Sequence, residues 1–415
     1  MTTYDWIVLG NGIAGAALSY ELQKVGFSVL LLDQSPTPTN ATRYSYGGIA
    51  YWSGTTDLMR QLCQAGIDLH RQLAAELEAP TEFREVDLLL TVAADRDPVQ
   101  ASCLYAKVAI APTILDATAA AEHEPLLNPS VLSGALRFPH GHVSPEKTVA
   151  AYNQAFLRLG GTFQVGTMTE WLWQNNQISG VITSTETYAA KQIAVSAGAM
   201  TRSLLKTVDV TVPQYFTHAE LIETPPVEVK LRSLVMPAEL QRFAMEAQAG
   251  TPEVDALWDE VGHEVTPAVL DAGAIQFEDG RIRIGQISRT LTDPMAAIDE
   301  TASEAALRQS VGDLLPALKT LPGQWCRCLV SFSGDRLPLV GPVPQMPGLY
   351  LFTAFSNPFA ILPPLARRFA EAMDCAPSAS AAATPQDLQS EPLLAQLSLE
   401  RFARVPMSKS AGKVN

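Results

Sequence analysis

Three glycines near the N-terminus have the spacing of a loop that binds a dinucleotide. Gly10, Gly12 and Gly15 follow an apolar run, Asp5–Leu9, and precede apolar residues at helical spacing. In this G-x-G-x-x-G pattern the first glycine permits a tight turn and the second lets the backbone approach a pyrophosphate, while the third lets the helix pack close to the strand. The N-terminus of that helix offers N–H groups to phosphates.

An acidic residue completes the pattern. A second apolar run, Phe27–Leu32, ends at Asp33, 18 residues after Gly15, where a carboxylate accepts hydrogen bonds from a ribose. A glycine-rich turn without a ligand is the alternative, but chance poorly explains two strands, a helix and an acid in this order. The sequence therefore predicts a dinucleotide site, to which Ile13, Ala14 and Gln34 also contribute.

Elements that position such a site follow along the chain. Periodicity and turn residues predict further helices over Leu58–Leu77, Ala117–Glu124, Pro145–Leu159, Thr301–Leu314 and Pro363–Met373. They predict strands over Val86–Val92, Phe163–Val165, Trp171–Gln174, Ile178–Thr183, Gln192–Ser196, Ala274–Phe277, Arg281–Gly285, Cys328–Phe332, Pro338–Val340 and Leu349–Thr353. His70, on the first of these helices, is interpreted as a surface or packing residue.

Composition excludes several classes. The 415 residues are 47% hydrophobic with a formal net charge of −14, so a large core is possible and a basic nucleic-acid face is not expected. No apolar run reaches the ~20 residues of a membrane span, and no signal peptide is evident. The five scattered cysteines favour free thiols, and no metal site is expected. We expect a cytoplasmic enzyme.

Five segments together resemble the D-amino-acid oxidase superfamily of flavoproteins, which includes glycine oxidase and sarcosine oxidase. They are the glycine loop with Asp33, Thr42–Ile49, Gly141–Pro145, Val195–Ala199 and Asp335–Gly341. Their order and spacing match the family over residues 1 to about 375. The resemblance implies an FAD-dependent oxidoreductase that oxidises a C–N bond of a small amine or amino acid by hydride transfer to flavin N5.

The resemblance also implies roles for particular residues. Arg43 and Tyr46 are the catalytic candidates. Arg43 is the candidate cation beside the flavin ring, and Tyr46 stands where relatives have a second substrate-binding arginine. Cys328 falls where sarcosine-oxidase-like members attach FAD covalently, although noncovalent binding is favoured. The remaining cofactor-binding candidates are Thr42, Gly47, Gly48, Ala197, Gly198, Gly334, Asp335, Phe355, Ser356 and Asn357.

The implied fold is α/β. Residues 1–57, 135–210 and 326–375 are expected to form a Rossmann-like FAD-binding domain assembled from discontinuous segments. Residues 58–134 and 211–325 are expected to form a mixed-sheet substrate domain, and 376–415 a linker and C-terminal tail.

Departures from the family keep two alternatives open. The loop 353–360 lacks the family's glycines, and no lysine follows it. The chain is thus expected to react slowly with oxygen and to prefer a quinone or protein electron acceptor. The first alternative is an FAD-binding protein with a degenerate active site that acts as a binding or assembly factor. The second, an NAD-dependent dehydrogenase, would not need the Asp335–Gly341 segment.

Overall fold

The computed structural model describes residues 3–374 and 391–403, apart from Asn176 and Gln345. Of the predicted linker and tail, residues 376–415, only 391–403 fall within this part, and the linker at 377–384 lies outside it.

The first sheet has eight strands in the order β16-β17-β10-β1-β2-β7, with β9 pairing β10 and β8 pairing β9. Strands β1, β2, β7, β10 and β17 are parallel, as expected for a dinucleotide-binding sheet. The bounds are β1 (Thr3–Leu9), β2 (Val29–Asp33), β7 (Thr162–Val165), β8 (Met168–Gln174), β9 (Gln177–Thr183), β10 (Thr187–Val195), β16 (Leu339–Pro342) and β17 (Leu349–Thr353).

The second sheet has nine strands in the order β15-β11-β14-β13-β12-β4-β6-β3, with β5 pairing β6. It is mostly antiparallel, since β4 and β12 form the one parallel pair among its described strands. The bounds are β3 (Gly48–Ile49), β4 (Arg84–Ala93), β5 (Thr113–Asp116), β6 (Leu132–His142), β11 (Gln214–Glu223), β12 (Leu234–Pro237), β13 (Val269–Gln276), β14 (Ile282–Arg289) and β15 (Gln324–Ser333).

Helices cover both sheets. The longer ones are α1 (Ile13–Lys24), α3 (Asp57–Glu76), α6 (Pro145–Arg158), α8 (Gln241–Ala249), α9 (Glu300–Leu314) and α10 (Pro358–Asp374). The shorter ones are α2 (Ala41–Tyr44), α4 (Pro98–Ser102), α5 (Ala117–His123), α7 (Thr201–Lys206), α11 (Pro392–Ala395) and α12 (Glu400–Ala403). Helices α1, α3, α6 and α10 share one apolar core on the first sheet.

The two faces of the second sheet differ. One face packs against α9 through residues such as Ala274 and Ile284. The other, here called the inner face, carries Phe138 and Ile275 and packs against Tyr46 and Trp52. Because side chains alternate along a strand, register assigns Arg283, the cross-strand partner of Ile275, to the inner face.

Most predicted helices and strands are confirmed, but α10 begins at Pro358 and contains Pro363 and Pro364. A proline inside a helix leaves the carbonyl four residues earlier without its donor. His70 Nε2 donates to the carbonyl oxygen of Phe359 at 2.7 Å, and the Ala360 carbonyl lies against Gly66. Helix α3 thus accommodates both prolines, and His70 is buried rather than on the surface.

Several segments lie in a different sheet or core from their predicted domain. Gly48–Ile49 (β3) and residues 135–142 of β6, assigned to the FAD-binding domain, belong to the second sheet. Residues 326–333, assigned to the FAD-binding domain, are part of β15 in the second sheet. Helix α3, assigned to the substrate domain, packs with α10 on the first sheet. The domain boundaries themselves stay a prediction.

Candidate functional site

The loop after β1 has two glycines that the fold requires and one that it does not. Gly10 has φ +107°, and a Cβ there would lie 2.5 Å from the Ser196 carbonyl oxygen. A Cβ on Gly15 would lie 1.7 Å from the Gly10 carbonyl oxygen. At Gly12 the nearest atom to a Cβ is Thr42 Oγ1 at 3.2 Å, which would need only a small shift. Packing within the chain does not explain Gly12, whereas close approach of a phosphate would.

Hydrogen bonds hold this loop to the other predicted nucleotide-binding residues. Asp33 Oδ2 accepts from the Asn11 backbone N–H at 2.5 Å, and Oδ1 accepts from the Ser35 N–H at 2.9 Å. The Ile13 N–H, at the start of α1, donates to Thr42 Oγ1 at 3.1 Å. Gly10, Asp33 and Thr42 are therefore brought together, as a dinucleotide site requires. Ala14 lies within α1, and Gln34 is exposed beyond β2.

Close packing against β6 and the residue after it explains why glycine is needed at positions 47 and 48. Gly47 has φ +69°, and a Cβ on it would lie 2.1 Å from the Val143 carbonyl oxygen. A Cβ on Gly48 would lie 2.7 Å from His140 Nε2. The segment from Thr42 to Gly48 thus connects the nucleotide loop to the inner face of the second sheet.

Three more predicted cofactor residues follow β17. Phe355 packs on Phe352 with ring centroids 4.9 Å apart. Ser356 Oγ donates to the Arg336 carbonyl oxygen at 3.0 Å, and Asn357 Nδ2 donates to the Ala50 carbonyl oxygen at 3.3 Å. This loop therefore joins the segment after β15 to the segment after Gly48.

The remaining predicted cofactor residues have identifiable structural contacts. The Gly198 carbonyl, next to Ala197, accepts from Gln214 Nε2 at 2.7 Å. A Cβ on Gly334 would lie 3.0 Å from the Gly250 carbonyl oxygen. Asp335 accepts from Arg401 at 2.7 and 2.9 Å. Burial opposes ionisation of Asp335, but Arg401 outweighs it and lowers the pKa of that carboxyl. The carboxylate therefore binds the C-terminal segment.

Arg43, the predicted cation beside the flavin, lies in a network of ion pairs. Its guanidinium donates to both oxygens of Glu223, at 2.9 and 2.7 Å, and its Nε lies 3.2 Å from Glu146. Arg283, which is fully buried, donates from Nε to Glu223 at 2.8 Å. Arg281 lies 3.1 Å from Glu146. The hydrogen bonds to Glu223 raise the pKa of Arg43, and the two carboxylates compensate its charge.

This network also keeps Glu223 ionised. Burial opposes ionisation of Glu223, but hydrogen bonds and charges from Arg43 and Arg283 outweigh it and lower its pKa to about 2. No local pattern in the sequence points to Glu223 or Arg283, because 180 positions separate Arg43 from Glu223. Cross-strand pairing of Glu223 with Arg283 is what places them together.

Tyr46, the second predicted catalytic residue, packs against the inner face. Its hydroxyl is buried and has no hydrogen-bond partner among the described residues. Burial raises the pKa of Tyr46, and Arg283 and Asp271 are the charges that act on it. Arg43 and Tyr46 therefore both lie near Arg283, but in different surroundings.

Cys328 lies on the inner face of β15, opposite Ala219 of β11. It is a buried free thiol, and burial raises its pKa to about 12. A thiol with so high a pKa is protonated at neutral pH and is a poor nucleophile. Within the described residues, no group of three or more metal-ligating side chains occurs, and no helix is long and apolar enough to cross a membrane.

The parallel sheet, its glycine loop and the adjoining mixed sheet define a dinucleotide-dependent oxidoreductase fold. A family model described as FAD-dependent oxidoreductase (DAO) matches residues 5–372. The chain therefore belongs to the DAO family of FAD-dependent oxidoreductases, which confirms the resemblance inferred from the sequence and disfavours the NAD-dependent alternative.

Relatives and solved structures agree with this. The chain is 26% identical over 365 residues to an uncharacterized oxidoreductase of Bacillus subtilis, covering 83% of this chain and 88% of that one. It is 24% identical to the glycine oxidase of Pseudomonas putida, covering 83% and 87%. Its fold is similar to that of L-proline dehydrogenase from P. horikoshii, with a TM-score of 0.74 and 16% identity, covering 98% and 99%. Glycine oxidase from Geobacillus kaustophilus gives a TM-score of 0.72 at 18% identity, covering 99% and 100%.

Proposed function

We propose that the chain binds FAD noncovalently and oxidises the C–N bond of a small amine or amino acid. The observation that carries the proposal is Gly12, a glycine in the nucleotide loop that packing within the chain does not require. Bound FAD would supply the hydride acceptor for oxidation of the carbon next to nitrogen, and water would then hydrolyse the resulting imine.

In this proposal the chain's own residues bind and orient. The glycine loop and Thr42 hold the pyrophosphate, and Asp33 holds the ribose. The Arg43–Glu223–Arg283 network fixes the segment that carries Tyr46, because Arg283 also donates to the Ser45 carbonyl oxygen. Tyr46 and the neighbouring apolar side chains exclude water from the inner face.

The charges near α10 bear on the electron acceptor, which is part of the proposal. The first part of this helix, from Phe359 to Ala366, is wholly apolar and buried. The first cation on it, Arg367, is bound to Glu21 and Glu76. An uncompensated positive charge beside the ring promotes reaction of reduced flavin with oxygen. Arg43 is compensated by Glu223 and Glu146, and the first part of α10 carries no charge, so we propose a quinone or protein acceptor.

One purification and two measurements test the proposal. The purified protein should show the visible absorption of a flavin, and denaturation in acid should release that colour into the supernatant. Under anaerobic conditions, at least one member of a panel of glycine, sarcosine, proline, D-amino acids and polyamines should bleach the flavin. A protein that cannot be loaded with FAD would contradict the whole proposal.

The FAD-binding protein with a degenerate site is the second candidate, and the loop after β17 motivates it. This loop has no glycine, and Ala354 adopts φ +61°, a conformation that glycine adopts without strain. Tight FAD binding with no reduction by any amine of the panel would favour this candidate over the enzyme.

A further inference from the structure

Helix α10 begins with two carbonyl groups that lack their usual donors within the helix. Pro363 and Pro364 have no N–H, so the carbonyl groups of Phe359 and Ala360, four residues earlier, lose the hydrogen bonds that a regular helix provides. Phe359 and Ala360 are both buried, and a buried carbonyl without a donor is costly. The position of the first turns of α10 therefore depends on groups outside the helix.

Helix α3 supplies those groups. His70 is 1% exposed, and its Nε2 lies 2.7 Å from the Phe359 carbonyl oxygen. Burial lowers the pKa of His70 to about 4, so the neutral ring carries its one N–H on Nε2, where the acceptor lies. Nδ1 is buried and has no hydrogen-bond partner among the described residues. One turn earlier, a Cβ on Gly66 would lie 1.7 Å from the Ala360 carbonyl oxygen. Both carbonyl groups thus face α3.

A third residue extends this contact toward the loop after β17. Cys63 lies against the Ser53 side chain, and Ser53 Oγ accepts from Asn357 Nδ2 at 3.2 Å. Cys63, Gly66 and His70 follow one another at spacings of three and four, so they lie on one face of α3. This face, here called the α3 stripe, meets the chain from Asn357 onward.

The loop that precedes α10 leaves the sheet at the edge where the nucleotide loop lies. Leu9, Val195 and Leu351 are aligned across the parallel strands β1, β10 and β17. The glycine loop after β1 and the loop after β17 therefore leave the same edge, and dinucleotides bind at that edge of such sheets. Residues 355–357 of the second loop are predicted to contact the cofactor.

Side chains, rather than glycines, fix this loop. Ser356 and Asn357 are half-buried and donate to carbonyl groups of neighbouring loops. The hydrogen bond from His70 to Phe359 is fully buried, and it comes from a helix of the core. It is also the contact that Pro363 makes necessary. His70 is therefore the firmest anchor of the junction between the loop and α10.

We propose that His70 is a positioning residue for the cofactor, and that its hydrogen bond to the Phe359 carbonyl holds residues 355–357 where FAD binding requires them. The inference rests on the proposed function, because it needs FAD to lie against this loop. A purely structural role for the same hydrogen bond is the alternative, and the two differ in what happens to bound flavin.

Substitutions at residues 70 and 363 test the hydrogen bond. His70→Leu removes the donor and leaves the Phe359 carbonyl buried without it. His70→Gln keeps an N–H donor at a similar reach. Pro363→Ala returns a backbone N–H four residues after Phe359, so that the helix itself can supply the donor. Dilution of the FAD-loaded proteins, followed by the fluorescence of released flavin, gives the Kd for FAD. The absorption spectrum before dilution reports the surroundings of the ring.

The expected effects are specific to the donor. His70→Leu should raise the Kd for FAD about tenfold and alter the flavin spectrum. His70→Gln and Pro363→Ala should each keep the Kd within about threefold of wild type, and so should His70→Leu combined with Pro363→Ala. Tyr105→Phe is the control, because it removes another buried hydrogen bond of 2.7 Å, to the Ala238 carbonyl oxygen. It should lower the melting temperature and leave the Kd and the spectrum unchanged.

The outcomes decide the inference separately from the proposed function. A raised Kd and an altered spectrum in His70→Leu, avoided by His70→Gln or restored by Pro363→Ala, would support it. An unchanged Kd or spectrum in His70→Leu, a loss that neither substitution avoids or restores, or an equal loss in Tyr105→Phe would overturn it.

The combined variant decides the case in which His70→Leu alone does not fold. A folded combined variant with the wild-type Kd would support the inference, because Pro363→Ala then replaces the missing donor. A raised Kd, or a combined variant that also fails to fold, would overturn it. A wild-type protein that does not bind FAD would instead contradict the proposed function.

Discussion

The nucleotide loop and the inner face of the second sheet assemble their functional groups over very different sequence separations. In the loop, Gly10 to Gly15 are contiguous, and Asp33 lies 22 positions from its partner Asn11. On the inner face, 180 positions separate Arg43 from Glu223, and the pairing of β11 with β14 brings Glu223 to Arg283. A binding site built from backbone can be recognised locally, whereas one built from charges needs the register of the sheet.

The two regions also differ in whether they contain charged side chains. The loop presents glycines and N–H groups, which cost little when no ligand is bound. The inner face contains a compensated network around Glu223. It also carries the buried carboxyl group of Asp271, whose neighbours Leu270 and Ala272 pack toward α9 on the other face and which accepts no hydrogen bond from a described residue. Removing the feature that distinguishes each region should therefore have a different effect in each.

The largest effect is expected in the loop. Gly12→Val should abolish FAD binding, because the side chain would occupy the position of the pyrophosphate, while the fold is kept. The measurements are flavin absorption of the purified variant and its circular dichroism. Gly166→Ala is the control, since a Cβ at Gly166 meets only ordinary contacts from 3.4 Å and lies outside the loop. A Gly12→Val protein that is folded and yellow would contradict the assignment.

On the inner face, Glu223→Gln should lower the free energy of unfolding by about 3 kcal/mol at neutral pH, because it leaves Arg43 and Arg283 with only Glu146. Chemical denaturation measures this. Glu304→Gln is the control, since it breaks a more exposed pair, 2.7 Å from Arg308, and should cost under about 1 kcal/mol. An equal loss of unfolding free energy in the two variants would show that the network around Glu223 stabilises the fold no more than an exposed ion pair does.

The same variant has a defined pH dependence. The pKa of Glu223 is lowered from 4.5 to about 2, so between these values the folded state binds fewer protons than the unfolded state. The stabilisation is complete above pH 4.5 and is lost as the pH falls toward 2. The difference in unfolding free energy between wild type and Glu223→Gln should therefore become smaller as the pH falls from 4.5 toward 2.

Asp271 should behave in the opposite way. Its pKa is raised from 3.8 to about 6, so between these values the folded state binds more protons than the unfolded state. As the pH rises from 4 to 7, the unfolding free energy of the wild type should fall by up to about 3 kcal/mol relative to that of Asp271→Asn. The groups that influence this titration are Arg242, Glu239, Glu246, Tyr46 and Tyr105.

Denaturation of both proteins at several pH values provides the measurement. Asp95→Asn, which removes an exposed carboxylate after β4, is the control, and its unfolding free energy should stay within about 0.5 kcal/mol of the wild-type value. If the difference in unfolding free energy between wild type and Asp271→Asn did not change with pH, Asp271 would not be a buried, unpaired charge.

These contrasts explain what the sequence could predict. The strands and helix around Gly10–Gly15 were predictable because periodicity and turn residues act locally. Asp271 and Glu223 were not, since an isolated acid in a strand carries no information about what faces it across a sheet. The sequence alone leaves His70 as a surface or packing residue for the same reason: its partner, the Phe359 carbonyl, is 289 positions away. The role of Asp335 as the partner of Arg401 was equally hidden.

The smallest effect is expected at Ala354, where the loop after β17 keeps a left-handed backbone without the family's glycine. Ala354 has φ +61° and is 1% exposed. Ala354→Gly removes strain of about 1 kcal/mol, but it also removes a buried methyl worth about 0.8 kcal/mol and makes the unfolded chain more flexible. The net change in unfolding free energy should stay within about 1 kcal/mol.

The matched substitution Ala360→Gly, six positions further on, lies inside α10 and relieves no strain. It should cost about 2 kcal/mol, since glycine is unfavourable within a helix by about 1 kcal/mol and a buried methyl is again lost. Thermal and chemical denaturation compare the two variants. A larger cost at residue 354 than at residue 360 would show that its left-handed conformation is not strained. A smaller cost at residue 354 would mean that the loop keeps a backbone conformation suited to glycine, although no glycine is present. With that conformation kept, the loop backbone could still lie close to a bound cofactor.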